Sequence, residues 1–162
     1  MPMCYTSSLA TPGNSACSAT PNTEVGTIMY KPAAAVPARN VMLQAVYVIG
    51  KGAGLTAISG ISFRIIRCTT ASTSGTGTTP NPKDVGMAAA TAVCTTGQTI
   101  SSTGRTNHVI FGCGAAGPGG WVAPNPDSMQ VVVSAATLPS MDVINQSGTA
   151  SLNYEFSSEH QE

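Results

Sequence analysis

The sequence predicts an all-β fold: a single β-sandwich, jelly-roll-like, with an extended N-terminal arm. Two observations predict it. The first is that charge gives way to Thr, Ser, Asn and Gly: Asp, Glu, Lys and Arg make only 9% of the 162 residues, against about 25% in an ordinary soluble domain. The polar residues that replace charge suit strands, turns and β-loops better than helices. The second is that the apolar residues, 42% of the chain, fall in short β-branched and aromatic runs separated by turn chemistry. With 17 Gly and 11 Pro the chain is too rich in helix breakers for a helical protein, yet below the disordered range. Its length fits one domain, and a chain of about 150 residues buries roughly 68–70% of its unfolded surface.

Residues 1–40 stand apart. Ser, Thr, Ala and Asn dominate, Pro2, Pro12, Pro21, Pro32 and Pro37 punctuate them, and one short apolar alternation runs from Val25 to Tyr30. This composition predicts an extended arm carrying one strand, of the kind that lies across a neighbour in assemblies. The β-sandwich domain is expected over residues 41–162. Val41–Ile49 is short, β-branched and followed by Gly50, Gly52 and Gly54, which predicts a buried strand. Leu55–Cys68 alternates, with Ile61, Phe63 and Ile65 on one face, Ser62, Arg64 and Ile66 on the other, and Arg67 returning to the first face at the rim. A Thr/Ser/Gly/Pro loop over 69–86 follows. Met87–Cys94 fits a short helix or a strand of small residues; Thr91, Val93 and Thr95 at period two favour the strand. After a polar loop over 96–106 come a strand at Val109–Phe111, a Gly/Pro corner at Gly112–Pro126, and strands at Met129–Ala135 and Ala150–Phe156. Short strands with frequent turns predict a sandwich or jelly roll, and no internal repeat is visible.

Seven basic residues balance seven acidic ones. That balance argues against nucleic acid as a partner, which calls for a Lys/Arg surplus on one face, and against a polybasic membrane patch. A surface so poor in charge has little protection against self-association, so much of it is expected to meet protein. Met1–Ala10 has no basic start followed by an apolar run, as a signal peptide would, and no run of eighteen apolar residues suggests a membrane span. Synthesis in a cytoplasm is the expectation. The cysteines (Cys4, Cys17, Cys68, Cys94, Cys113) form no C-x-x-C pair, so neither a zinc ribbon nor a thioredoxin motif is present. Buried free thiols are expected, with Cys4–Cys17 as the pair to test for a disulfide.

Candidate chemistry is sparse. Gly112-Cys113-Gly114-Ala115-Ala116-Gly117 is formally G-x-G-x-x-G after a strand. Dinucleotide binding also requires a helix whose first turn faces the pyrophosphate, and Pro118, Gly119 and Gly120 cannot open one. A catalytic triad would have to gather His108, a distant Ser and one of Asp84, Asp127 or Asp142, with nothing like a nucleophile elbow; His160 lies in a polar tail. Metal binding by His108 and Cys113 lacks further ligands at sensible spacing. Asn145-Gln146-Ser147 fits the glycosylation pattern by chance, in the absence of a secretory signal. No catalytic residue, cofactor or metal is therefore expected. Trp121, between Gly120 and Pro124, suits a core or interface plug better than a sugar-stacking platform. Arg64 and Arg67 could hold an anion, but pairing with carboxylates such as Asp127 or Glu155 fits guanidinium geometry.

The segments SFRIIRCTTAS (Ser62–Ser72), GTGTTPNPKD (Gly75–Asp84), AAATA (Ala88–Ala92), GCGAAGPGGWVAPNPDSM (Gly112–Met129) and SGTASLNYEF (Ser147–Phe156) resemble a family of small virion structural proteins of tailed bacteriophages. The resemblance covers Ile61–Phe156 and is most specific in Gly112–Met129. It implies a β-fold particle component without an assigned reaction. A decoration or cement protein makes sense of the composition: it would bind the major capsid protein at repeated positions on the virion surface, commonly as a homotrimer, and stabilise the assembled shell by mass action and multivalency. The expected contacts are the arm (Tyr5–Pro37) and the Gly112–Pro126 corner, with Tyr5, Tyr30, Arg64, Arg67, Trp121, Pro124 and Asp127 as interface candidates. The alternatives are a head or tail fibre or tail component, and a host-surface carbohydrate-binding module.

Overall fold

The computed structural model describes residues 4–10, 26–32, 41–51, 61–73, 75–96, 99–113, 118–123, 130–131, 139–145 and 153–162. Among these the protein is all β, without a helix. None of the described residues forms a helix long and apolar enough to cross a membrane.

Twelve strands form among the described residues: β1 (Cys4–Ala10), β2 (Gly26–Pro32), β3 (Val41–Lys51), β4 (Ile61–Cys68), β5 (Thr76–Thr78), β6 (Asn81–Pro82), β7 (Ala92–Thr96), β8 (Arg105–Cys113), β9 (Pro118–Val122), β10 (Gln130–Val131), β11 (Ser140–Asn145) and β12 (Asn153–Gln161). They make two antiparallel six-stranded sheets. One has the order β10-β3-β12-β1-β6, with β9 beside β10 on the same edge of β3; the other runs β5-β7-β2-β11-β4-β8. The chain passes back and forth between the sheets, so most neighbours are distant in sequence: β1 pairs with β12, and β2 with β11.

One hydrophobic core lies between the two sheets. Val41, Leu43, Val46, Val48 and Phe156 come from the first; Phe63, Ile65, Ala92, Cys94, Phe111, Met141 and Val143 come from the second. Phe63 touches both layers: it meets Phe156 edge-on at a centroid distance of 5.1 Å and stacks on its cross-strand partner Phe111 at 5.6 Å. Each such pair adds about 0.5–1.5 kcal/mol beyond burial. Period two alone would not place both Leu43 and Val46 inside. The β3–β12 register shifts between Glu159 and His160, leaving Gln44 as an extra residue; this bulge re-phases the strand so that Leu43 before it and Val46 and Val48 after it all point inward.

A smaller cluster sits on the opposite, outer face of the second sheet. Ile66, Cys68 and Ile144 are covered there by Ile100. The cover consists of residues 69–73 and 99–104. Thr73 and Thr99 exchange backbone hydrogen bonds (3.1 and 2.9 Å), and the Thr69 N–H donates to the Gly104 carbonyl at 3.3 Å. Gly104 has φ of 60°, and any Cβ there would run into Thr69, so only glycine lets the two segments approach this closely.

Several expectations change. The two described pieces of residues 1–40 are not a free arm. β1 lies between β12 and β6, and β2 between β7 and β11, each paired on both sides. The strand expected over Met87–Cys94 begins only at Ala92; residues 87–91 have no regular structure. The expected Gly/Pro corner contains β9, the expected loop over 69–86 contains β5 and β6, and β11 falls where no strand was expected. Of the expected Met129–Ala135, Leu55–Cys68 and Ala150–Phe156 strands, residues 129 and 132–135, 55–60 and 150–152 lie outside the described residues.

Candidate functional site

Two fully enclosed carboxylates are the most chemically loaded groups among the described residues. Asp142 sits on β11 with no exposed surface. Strand alternation turns Met141 and Val143 into the main core and sends Asp142 to the covered outer face, where register sets it opposite Ile66. Both serine hydroxyls near it donate to its Oδ2, Ser140 Oγ at 2.8 Å and Ser72 Oγ at 3.0 Å. Ser72 also ties the cover down: its N–H donates to Ser140 Oγ (3.0 Å), and its Oγ accepts the Ser101 N–H (2.9 Å). Burial of a carboxylate is tolerated because hydrogen bonds replace lost water.

Cys68 borders this cluster and donates weakly from Sγ to the Ser101 carbonyl at 3.6 Å. Burial, and then the nearby Asp142 charge, push its thiol up to about 11, with Arg105 and Ser72 pulling the other way. A thiol so protonated is a poor nucleophile. The constellation binds the cover to the sheet.

The second carboxylate is Glu162. Oε2 accepts the Thr91 N–H (2.9 Å) and the Thr91 hydroxyl (2.6 Å), and Oε1 accepts the Ala92 N–H (2.8 Å). His160 Nε2 lies 3.6 Å from Oε1, and neither side chain has exposed surface. Burial opposes ionisation of Glu162, but the adjacent His160 imidazole and the hydrogen bonds from Thr91 and Ala92 outweigh it and hold its carboxyl at about 2. His160 stacks on Tyr5 at 5.3 Å, and the Tyr5 hydroxyl donates to the Ala88 carbonyl at 3.1 Å. The end of β12 and the start of β1, both in the first sheet, are thereby fastened to the approach to β7 in the second. His160, expected in a polar tail, is an inward residue of a strand that continues to Gln161.

The interface candidates scatter. Tyr5 is fully buried within its own chain, so it is not available to a partner. Tyr30 pairs in register with Met141 and Cys94 inside the second sheet. Trp121, opposite Val46, is half-buried and packs on the main core, as a plug does. Arg64 donates from Nη1 to Asn107 Oδ1 at 3.2 Å, and among the described residues neither it nor Arg67 has a carboxylate partner. Pro124 and Asp127 lie outside the described residues.

His108 is the extra residue of a bulge in β8, exposed, its imidazole held below the ordinary value by partial burial and then by Arg67. No triad partner reaches it among the interactions described. Around the G-x-G-x-x-G pattern the chain goes from β8 to β9, strand to strand, which rules out the helix dinucleotide binding needs. Among the described residues no group of three or more His, Cys, Asp or Glu is placed to hold a metal. Among the described residues Cys4, Cys68 and Cys94 form no disulfide with one another; Cys17, the expected partner of Cys4, lies outside the described residues.

Sequence reasoning passed over both carboxylate clusters. The available signals were Ser140 and Asp142 two apart beside an apolar run, and Phe156, Ser158 and His160 continuing one face of a strand. Comparison with known proteins returned no match to a family model, a curated protein or a solved structure.

Proposed function

We propose that this chain is a structural protein of a tailed-phage particle, a decoration or cement component that binds the major capsid protein and associates with itself, as a trimer. The observation that carries this reading is the nine-residue β8. It is the terminal strand of its sheet, paired on one side only among the described residues, and it exposes Ile110 at 64%. A long open edge with an apolar side chain is a surface that association covers. The jelly-roll form of the proposed sandwich is supported by strand order. With β5–β7 and the two-residue β10 taken as insertions, β1-β12-β3-β9 lies in one sheet and β2-β11-β4-β8 in the other, first strand beside last. Tyr5–Pro37 contains β1 and β2, both strands of the sheets, so a deletion of this stretch would damage the fold and is no test of capsid contact.

A carbohydrate-binding role gains no support from Trp121, which packs on the core. The test is a reconstruction of particles of the phage that encodes the chain, together with co-sedimentation of purified chain and expanded shells. Hundreds of copies at repeated surface positions are expected. A dozen or fewer would move the chain to the tail, and a stable monomer that leaves intact particles bare would end the proposal.

A further inference from the structure

The turn after β6 and the outer surface of β8 are complementary to each other, yet too far apart to meet within one chain. Asp84–Met87 is closed by the Met87 N–H donating to the Asp84 carbonyl at 3.3 Å. Gly86 takes φ of 101° in its third position, the requirement of a type II turn. Val85, at the second position, is 108% exposed, and a Cβ built on Gly86 meets nothing within 4 Å. The turn thus presents an apolar knob beside the exposed carboxylate of Asp84. Lys83, next to it, does not neutralise that carboxylate, because its ammonium is engaged by Glu159 at 2.8 Å.

On β8, Ile110 faces outward and is paired in register with Arg64. The Arg64 guanidinium is steadied by Asn107 but has no carboxylate among the described residues. An apolar side chain beside a carboxylate at one place matches an apolar side chain beside a guanidinium at the other. β6 ends one edge of the first sheet, whereas β8 lies next to β9 at the opposite edge. A single molecule cannot bring the two surfaces together; a second copy can. Pro82 lacks the N–H that strand addition at the β6 edge would use, so contact there is made by side chains.

We propose that copies of this chain associate head to tail, with the Asp84–Val85 turn of one seated on Ile110 and Arg64 of the next. The inference rests on the self-association in the functional reading and specifies its contact. Such a contact is heterologous: each copy offers one turn and one receiving surface, and a rotation that closes gives a ring, of three members in the trimer proposed above.

The test is analytical ultracentrifugation of the purified full chain. Asp84→Arg and Arg64→Asp should each weaken association at least about ten-fold, and the doubly reversed Asp84→Arg/Arg64→Asp chain should regain most of it, since close charge pairs couple across interfaces. Val85→Ser, at a position with no contact in the isolated chain, should weaken association without moving the thermal midpoint, which guards against loss of fold at Arg64. A monomeric wild type, single reversals that associate unchanged, or a double reversal no better than its parents would overturn the contact. Co-sedimentation with shells separates this from the functional reading: a ring that ignores particles sinks the capsid role and leaves the contact, whereas a monomer that decorates particles does the opposite.

Discussion

Asp142 and Glu162 are both carboxylates without exposed side-chain surface, yet they are held by different kinds of donor. Asp142 is met by two serine hydroxyls, each of which also accepts a backbone N–H, Ser72 from Ser101 and Ser140 from Ser72. Glu162 is met by two backbone N–H groups and one threonine hydroxyl. Backbone donors exist whatever the side chain, so the Glu162 clasp needs little of its partner segment. The Asp142 knot needs Ser72 and Ser140 in place together. Solvent differs as well: Ser72, Ser140 and Asp142 are all buried, whereas Thr91 and the main chain of Glu162 are partly exposed. Water can replace lost partners at the clasp and cannot at the knot.

The largest effect should follow from breaking the knot. Asp142→Ala leaves two buried hydroxyls without their acceptor and a void beneath the cover, and is expected to cost about 3–4 kcal/mol. Chemical denaturation would measure it, with hydrogen exchange of the 69–73 and 99–104 amides rising together. Glu162→Ala should cost less, about 1–2 kcal/mol, since hydrogen bonds to a charged group are worth more than neutral ones but water enters here. Equal losses from the two substitutions would break the comparison.

Acid sharpens it. The Glu162 carboxyl lies at about 2 in the folded chain against an ordinary 4.5. A depressed carboxylate contributes stability that is complete above the unfolded value and lost as pH falls through the folded one. The stability advantage of wild type over Glu162→Gln should therefore be constant above pH 4.5 and shrink between pH 4.5 and about 2. An advantage that survives unchanged at the acid end would show that the clasp works without its charge.

The same contrast explains what could be read from sequence. Strands whose inward residues are apolar were legible: β3 begins at Val41 as expected, and Phe63 and Ile65 share the inward face of β4. β11 was not, because its second face carries Ser140 and Asp142, residues that pattern as surface and are buried only because a distant loop covers them. β9 was hidden by Pro118, Gly119 and Gly120, which signal turns locally but are held extended by pairing along β3. Within residues 1–40, β2 falls on the Val25–Tyr30 alternation, whereas β1 was hidden for a related reason: its Ser and Thr look unstructured until the β1–β12 pairing, between opposite ends of the chain, is known. Of the candidate sites, Trp121 was singled out and packs on the main core, whereas the knot and the clasp depend on contacts across 68 to 71 residues of sequence.

The smallest expected effects dissect the two clusters hydroxyl by hydroxyl. Ser72→Ala removes a donor to Asp142 and an acceptor for the Ser101 N–H in one step, and should cost about 1–2 kcal/mol. Thr91→Val removes one of three donors to Glu162 while keeping the side-chain shape and both backbone bonds, so about 0.5–1 kcal/mol is expected. Combining each with loss of its carboxylate separates direct bonds from general loosening. If Ser72 acts through Asp142, Ser72→Ala should add little once Asp142→Ala is present, apart from the Ser101 bond. Thr91→Val should likewise add nothing on Glu162→Ala. Fully additive losses in both pairs would mean that neither hydroxyl works through its carboxylate.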